Sequence, residues 1–561
     1  MNLGIDRSLR PCALAALLLV SGTVASPVIA QTTPPAAGVN AADAPRVNVK
    51  TFQVSGNTLL TAAALDAALA PYKGERTLDE LQQAASAVQG AYGRAGYGGV
   101  VAFLPPQSPA DGTVLINVVE GKLSRVVVSG NKQFSEDNIR ASLPALVPGS
   151  TPRLTGIDTQ IQIANENPAK EVQVLLQPGQ EPGQVEARIN VVEQPVQRIN
   201  LGLDNTGNER TGDWRASIGW QHANLFGRDH VASVQYQTSP DEPKAVQVLS
   251  GGYRVPFPAQ GLVLDTYAAY SDVDGGNTAT VAGNLTFNGR GRVFGARLGA
   301  YLPRLGDFDQ RVAVGLDHRA YLNNCRIEGL PEGACGSAGE SVSVQPLYLE
   351  YSLQRGGPMT LGFNVALHRN LQLGGGNSDS SHFEAVRPGA KPRYTALRLG
   401  AFTGIGLGED WQLRARATGQ WTHDALVPGE QFGAGGAASV RGYEERELSG
   451  DSGATVSVEL VGPDIARLAG MGGNSGGGAP SASLRLLAFA DAGWVRNQLD
   501  TPCAVLGGVV RDECSVGSLG AGTRFQYGDL QARLYVAYAM KAAVRTARHD
   551  TRTHVAVSYS F

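Results

Sequence analysis

Few residues of this 561-residue chain have the types and spacing that covalent or metal chemistry needs. Gly473-Asn474-Ser475-Gly476-Gly477 spells G-x-S-x-G, but a nucleophile elbow requires a sharp strand-to-helix turn, and this string sits in a glycine-rich run. It is read as chance composition. The eight histidines show no H-E-x-x-H spacing, so no metal ligand set is expected. No G-x-x-x-x-G-K-[ST] occurs, and no cofactor is expected. No catalytic residue is assigned, and an enzyme is the least supported class. The cysteines are better used structurally. Apart from Cys12 they form two close couples, Cys325 with Cys335 and Cys503 with Cys514, which in an oxidising compartment read as two local disulfides.

The compartment is indicated by the first thirty residues. Arg7 and Arg10 precede the apolar run Ala13 to Val20, and small residues lead to Val28-Ile29-Ala30. This is the pattern of a secretory signal peptide over residues 1–30, with a mature start at Gln31. A membrane helix needs about 20 apolar residues, and this run is under half of that. Cys12 lies before the run and is badly placed for lipid attachment. No long apolar stretch follows, so helical spanning is not expected. A net charge of −3 and 17% charged residues argue against a nucleic-acid partner, which calls for a basic patch.

Two kinds of patterning follow. Residues 46–195 read as α+β with an internal repeat: Val54-Ser55-Gly56-Asn57 returns as Val128-Ser129-Gly130-Asn131, and Ile116-Asn117-Val118-Val119-Glu120-Gly121 as Ile189-Asn190-Val191-Val192-Glu193-Gln194. The predicted order is strand, helix, helix, strand, strand, with helices near Thr61 to Leu69 and Leu78 to Tyr92 in the first copy. The expected units are residues 46–121 and 122–195, after a short linker over 31–45. From 196 to 561 the pattern changes to period-2 alternation broken by Gly, Asp, Asn and Pro. In Trp411 to Thr422, Leu413, Ala415, Ala417 and Trp421 share one face, while Arg414, Arg416, Thr418 and Gln420 share the other. Segments of 10 or more residues with one apolar and one charged face suit tilted membrane strands around a wet lumen. Closure is then required, because lipid satisfies no strand edge. About sixteen antiparallel strands are expected, giving a transmembrane β-barrel of residues 196–561. By that count the cysteine couples follow the seventh and thirteenth strands. Pro463 to Ala482 is a long, Gly-rich turn on the opposite side.

Between the eleventh and twelfth strands lie Phe432-Gly433-Ala434-Gly435-Gly436 and Val440-Arg441-Gly442-Tyr443. Downstream, a strand carries Phe489-Ala490-Asp491-Ala492-Gly493. With these strings the chain resembles the two-partner secretion transporters, the TpsB family of POTRA-bearing outer-membrane barrels. Leu203-Asp204-Asn205-Thr206-Gly207, Asn224-Leu225-Phe226-Gly227-Arg228-Asp229 and the terminal Phe561 add to the likeness, which covers nearly the whole mature chain.

The resemblance implies that the two α+β units are POTRA-like modules in the periplasm. It implies that Val440, Arg441, Gly442 and Tyr443 sit on a long loop folded into the barrel, and that Phe489, Asp491 and Gly493 face the lumen. Phe561 would be the signal read by the barrel assembly machinery, with periplasmic chaperones and outer-membrane lipid as further partners. The implied function is export of an unfolded exoprotein carrying an N-terminal secretion domain. An insertase of the same superfamily and a diffusion porin are the rival readings. Physically, Arg441 offers a planar fork of donors and Asp491 a matching acceptor. In a water-filled lumen that pair would contribute about 0–1 kcal/mol, so further packing is expected, with Tyr443 a candidate. Many relatives carry an N-terminal plug helix. Here Pro34, Pro35 and Ala/Gly-rich neighbours make one doubtful.

Overall fold

The computed structural model describes residues 45–561 except 110, 210, 273–275, 281–282, 288–289, 323–336, 338–339, 469–481, 500–502 and 507–508. The expected signal peptide, nearly all of the linker, the Cys325–Cys335 pair, the Gly473–Gly477 string and most of the 463–482 turn lie outside the described residues.

The first module runs β1 (Arg46–Val49), β2 (Thr51–Ser55), α1 (Ala62–Leu69), β3 (Gly74–Thr77), α2 (Leu78–Arg94), β4 (Val100–Phe103) and β5 (Thr113–Glu120). Helix α2 starts at a capping box, in which Thr77 and Glu80 satisfy each other's backbone amides. It buries Leu81, Ala84, Ala85, Val88, Ala91 and Tyr92, the 3–4 spacing of one face. That face packs on Val100, Ile116 and Val118 of a three-stranded sheet in the order β2-β5-β4. The second module runs β6 (Lys122–Ser129), α3 (Glu136–Ser142), α4 (Leu154–Asn165), β7 (Lys170–Pro178) and β8 (Gln184–Glu193), with sheet order β6-β8-β7. The small β1–β3 sheet has no counterpart there and carries no pattern that announced it.

The sequence repeat has a structural cause. The strand that carries the first string pairs in parallel with the last strand of its module, β2 with β5 and β6 with β8, and the two repeated strings meet. A Cβ on Gly56 would stand 2.1 Å from the Val118 carbonyl oxygen, and one on Gly130 2.2 Å from that of Val191. Both glycines also have φ above +80°, so only glycine fits. The carboxylate of Glu120 accepts the Thr58 and Leu59 amides at 2.7 and 2.9 Å. Glu193 does the same for Lys132, Gln133 and Phe134 at 2.7–3.1 Å. Burial would raise the pKa of Glu120, but bonds from the Thr58 hydroxyl and amide, Tyr92 and Leu59 outweigh it and hold the carboxyl below its usual range. Burial, reinforced by Glu120, pushes the Tyr92 phenol well up.

The barrel closes with sixteen antiparallel strands. They are β9 (Gln197–Asp204), β10 (Arg215–Leu225), β11 (His230–Thr238), β12 (Gln247–Phe257) and β13 (Leu262–Asp272), with a separate hairpin of β14 (Gly276–Thr280) and β15 (Gly283–Phe287) after β13. Then come β16 (Gly291–Leu305), β17 (Phe308–Tyr321), a strand in two pieces, β18 (Val342–Val344) and β19 (Pro346–Arg355), and β20 (Met359–Asn370). A short helix α5 (Ser380–Val386) precedes β21 (Thr395–Gly408) and β22 (Trp411–Trp421). The loop that follows contains β23 (Phe432–Ala434) and β24 (Leu448–Gly450), and leads to β25 (Ser452–Asp464), helix α6 (Ile465–Leu468) and β26 (Ala482–Arg496). The hairpin β27 (Ala504–Leu506) and β28 (Val509–Arg511) precedes β29 (Glu513–Tyr527), β30 (Leu530–Ala539) and β31 (Thr551–Ser560). Strand β31 pairs back onto β9.

Alternation sorts the two faces. On β30, Leu534, Val536 and Tyr538 lie exposed on the outer surface, while Tyr535, Ala537 and Ala539 are buried inside. The C-terminal Phe561 exchanges backbone bonds with Ile199 at 2.8 and 3.0 Å, and its ring stays exposed. Module 2 is fastened to the turn between β10 and β11. Asn138 Nδ2 donates to the Gly227 carbonyl at 2.7 Å. Asp229 accepts from the Ser142 hydroxyl at 2.5 Å and from the Lys170 ammonium at 2.6 Å. The Lys170 side chain is fully buried, and burial pushes its pKa down against the pull of Asp229.

Candidate functional site

Residues 422–451 leave the end of the barrel far from the modules and turn back into the lumen. At the tip, the Arg441 guanidinium meets Asp491 of β26 through Nε to Oδ2 and Nη2 to Oδ1, both 2.7 Å. Nη1 reaches Glu459 of β25 at 2.7 Å, Nη2 reaches the Ser457 hydroxyl at 3.0 Å, and the Arg441 amide donates to Asp491 at 3.1 Å. The guanidinium carbon lies 3.5 Å from the centroid of the Phe489 ring, a cation–π contact. Arg441 and Asp491 are 3% and 4% exposed, so the expectation of a water-screened pair is corrected. The loop itself excludes the water that would have weakened it.

Val440, Gly442, Tyr443 and Gly493 each have a steric or bonding reason. Gly442 has φ +92°, and its amide donates to His554 Nε2 of β31 at 3.0 Å. Tyr443 is fully buried, its hydroxyl 2.8 and 2.9 Å from the carbonyls of Gly517 and Lys541, donating to one at a time. A Cβ on Gly493 would stand 2.9 Å from Val440 Cγ2 and 3.1 Å from Ala434 Cβ, so glycine is what lets the loop lie against β26. Val440, Tyr443 and Ala434 join one apolar cluster with Leu448, Val495, Val516 and Cys514. Cys514 is bonded to Cys503, so this disulfide packs beside the seated tip.

The loop has anchors that the sequence did not reveal. Glu430, at its start, accepts from Arg319 of β17 at 2.9 Å, Tyr321 at 2.7 Å and Arg398 of β21 at 3.2 Å. At its end, Asp451 is fully buried and pairs with Arg387, which follows α5. Glu447 accepts from the Arg545 and Thr546 amides at 2.7 Å. The loop is therefore braced across the lumen, from β17 and β21 on one side to β25, β26 and β31 on the other. Single glutamates and aspartates carry no periodicity, and only the fold brings them to these arginines. Among other lumen residues, Arg398 and Glu459 are bonded as above, and Arg416 donates to the Ala438 carbonyl.

Comparison with known proteins gives this geometry a family. Residues 47–121 match the POTRA domain, ShlB-type. Over 468 residues, spanning 82% of this chain and 74% of the relative, the chain is 25% identical to the outer membrane transporter CdiB of Escherichia coli. A similar match, 25% identical over 435 residues, is to CdiB of Dickeya dadantii (strain 3937), covering 75% of this chain and 73% of that one. The fold is similar to solved structures of CdiB from Escherichia coli, with TM-score 0.76, 20% identity and 94% and 93% of the two chains covered. CdiB from Acinetobacter baumannii gives TM-score 0.66 at 17% identity, covering 92% and 91%. Residues 183–511, more than half of the chain, match the family described as haemolysin secretion/activation protein ShlB/FhaC/HecB, and the chain belongs to that family.

Proposed function

We propose that this outer-membrane transporter takes an unfolded exoprotein from its periplasmic POTRA modules and passes it out through the barrel, the two-partner secretion reaction. The observation that carries the reading is the combination of a closed barrel, a loop braced across its lumen at Arg441, and modules tied directly to the barrel rim. The sheet edges suit capture of an extended segment by strand addition. Among the described residues β4 and β7 have no strand on their outer sides, and Val101, Phe103 and Leu175 are exposed on them. An N-terminal secretion domain of the exoprotein is the segment assigned to these edges. Phe561, at the end of β31, is assigned to recognition by the assembly machinery, reached with the help of periplasmic chaperones.

The test compares proteins of the culture medium and of the outer membrane in cells with and without this chain. Selective loss of one large extracellular protein, other barrels unchanged, is the expected result and names the client. A general fall in outer-membrane barrels would instead make the chain an insertase, and no change in either fraction would favour a porin.

A further inference from the structure

Below the seated loop the lumen opens into a cavity of about 750 Å³ that reaches the module-side turn at Gly357 and Pro358. Its walls carry five arginines, at 414, 416, 441, 524 and 533, against two carboxylates, Asp204 and Glu459. Glu459 is shared by Arg441 and Arg524 at 2.7 and 2.5 Å. Asp204 accepts from the Thr206 amide at 3.0 Å. Three arginines are left with no carboxylate among the described residues. Among the described residues Arg414 bonds only Gln412 Oε1, at 2.8 Å, and Arg416 only the Ala438 carbonyl. Arg533, exposed to the lumen, has no side-chain bond to any described residue.

Strand register makes this crowding costly. Arg485, Arg524 and Arg533 stand directly opposite one another on β26, β29 and β30, and like charges so placed are destabilising. Arg485 is compensated by Asp410 at 2.8 Å and Arg524 by Glu459, while Arg533 has no carboxylate partner among the described residues. Arg414, on β22 two strands from β26, stands opposite Glu459, the carboxylate already shared by Arg441 and Arg524, and has Arg524 and Arg485 among its other near charges. A lone lumen arginine is an ordinary solvated side chain. Several guanidiniums lining one concave space focus a positive potential and present forks matched to oxyanion geometry.

We propose that this cavity is an oxyanion-binding site in which Arg414, Arg416 and Arg533 take a phosphate or carboxylate group. The ligand comes either from free inorganic phosphate or from acidic side chains of the exported polypeptide, and the second source rests on the export reading. The test is calorimetry on the purified full-length chain at fixed ionic strength, with inorganic phosphate in one arm and hexaglutamate peptide in the other, chloride as the competing background. Wild-type protein binds at least one probe, and Arg414→Gln with Arg533→Gln weakens that binding at least tenfold while heat-modifiable mobility on gels is retained. Arg533→Gln alone, which breaks no side-chain bond to any described residue, gives the same sign should the double variant fail to fold. Phosphate binding alone identifies the free anion, and hexaglutamate binding alone the peptide. Binding of neither, or binding that Arg533→Gln leaves unchanged, overturns the proposal. Export is not measured, so failure of the export reading would leave the binding result standing.

Discussion

Replacing Arg441 by alanine tests how the loop is held. The guanidinium makes four bonds of 2.7–3.0 Å to Asp491, Glu459 and Ser457 and lies over Phe489. Truncating one partner of a buried pair leaves an uncompensated charge and costs about 3–5 kcal/mol. Asp491 keeps one donor, the backbone amide at residue 441, which places the cost at the lower end, about 3 kcal/mol. At about 1.4 kcal/mol per decade, the ratio of seated to released loop falls roughly a hundredfold. The barrel's own ladder includes none of these bonds, so heat-modifiable mobility is expected to be unchanged. The assay is limited proteolysis with trypsin, scored at Arg446, five residues beyond the tip and half-buried in the seated loop. Arg441→Ala should be cut there far faster than wild type and should export less, with Arg441→Lys between, since a point charge cannot form the fork. Wild-type protease resistance and wild-type export in Arg441→Ala would refute the anchor.

Gly493→Ala places a Cβ against Val440 and Ala434 and should cost about 1–3 kcal/mol of loop seating, with relief by Val440→Ala in the same proteolysis assay. Lys170→Met leaves Asp229 buried without its cation, at about 3–5 kcal/mol. Hydrogen exchange should rise in α3 and in residues 224–229 while the barrel stays heat-modifiable, and unchanged exchange would count against the junction. Because Glu120 is held below its usual value of 4.5, its contribution is complete above that pH and is lost as pH falls through the lower folded-state value. The Thr58 and Leu59 amides should lose exchange protection on that acid side in wild type but show no such pH step in Glu120→Gln. Replacing Cys503 and Cys514 by serine opens a closed loop of about a dozen residues, worth up to about 3 kcal/mol, read as a lower unfolding midpoint in non-reducing buffer.

The barrel was legible because its physics is periodic: a strand between lipid and water must alternate, and sixteen segments do. The modules were legible for a different reason. Their repeat preserves the residues that touch, the close-packed glycine and the carboxylate that clamps the amides beyond it. Arg441 and Asp491 were visible only through the resemblance, since an arginine in a Gly-rich loop has no pattern of its own. Even then its environment was misjudged. From alternation alone Asp491 faces water, and only the returning loop makes that face dry. Glu430, Asp451, Arg387 and His554 stayed invisible because each acts across a fold closed by residues up to 112 positions away. The β1–β3 pairing escaped because strands of four residues are too short to show a period.

The distribution of anchors bears on how a polypeptide passes. Glu430, Arg441 and Asp451 each bury a charge on a different part of the wall, so releasing the whole loop at once would cost several times the about 3–5 kcal/mol of one buried pair. The tip alone, from Gly436 to Tyr443, is held chiefly by the single fork and the tyrosine pocket, while Glu430 and Asp451 keep their partners whether or not the fork opens. Strand addition along β7, nine residues long, forms a handful of backbone bonds at about 0.5–1.5 kcal/mol each, which is commensurate with freeing the tip and not with freeing the loop. A captured segment can shift that equilibrium only by binding the released state better than the seated one. By these magnitudes the anchors at the loop's two ends would stay in place, and the fork at Arg441 would be the joint to open, which the Arg441→Ala proteolysis assay tests.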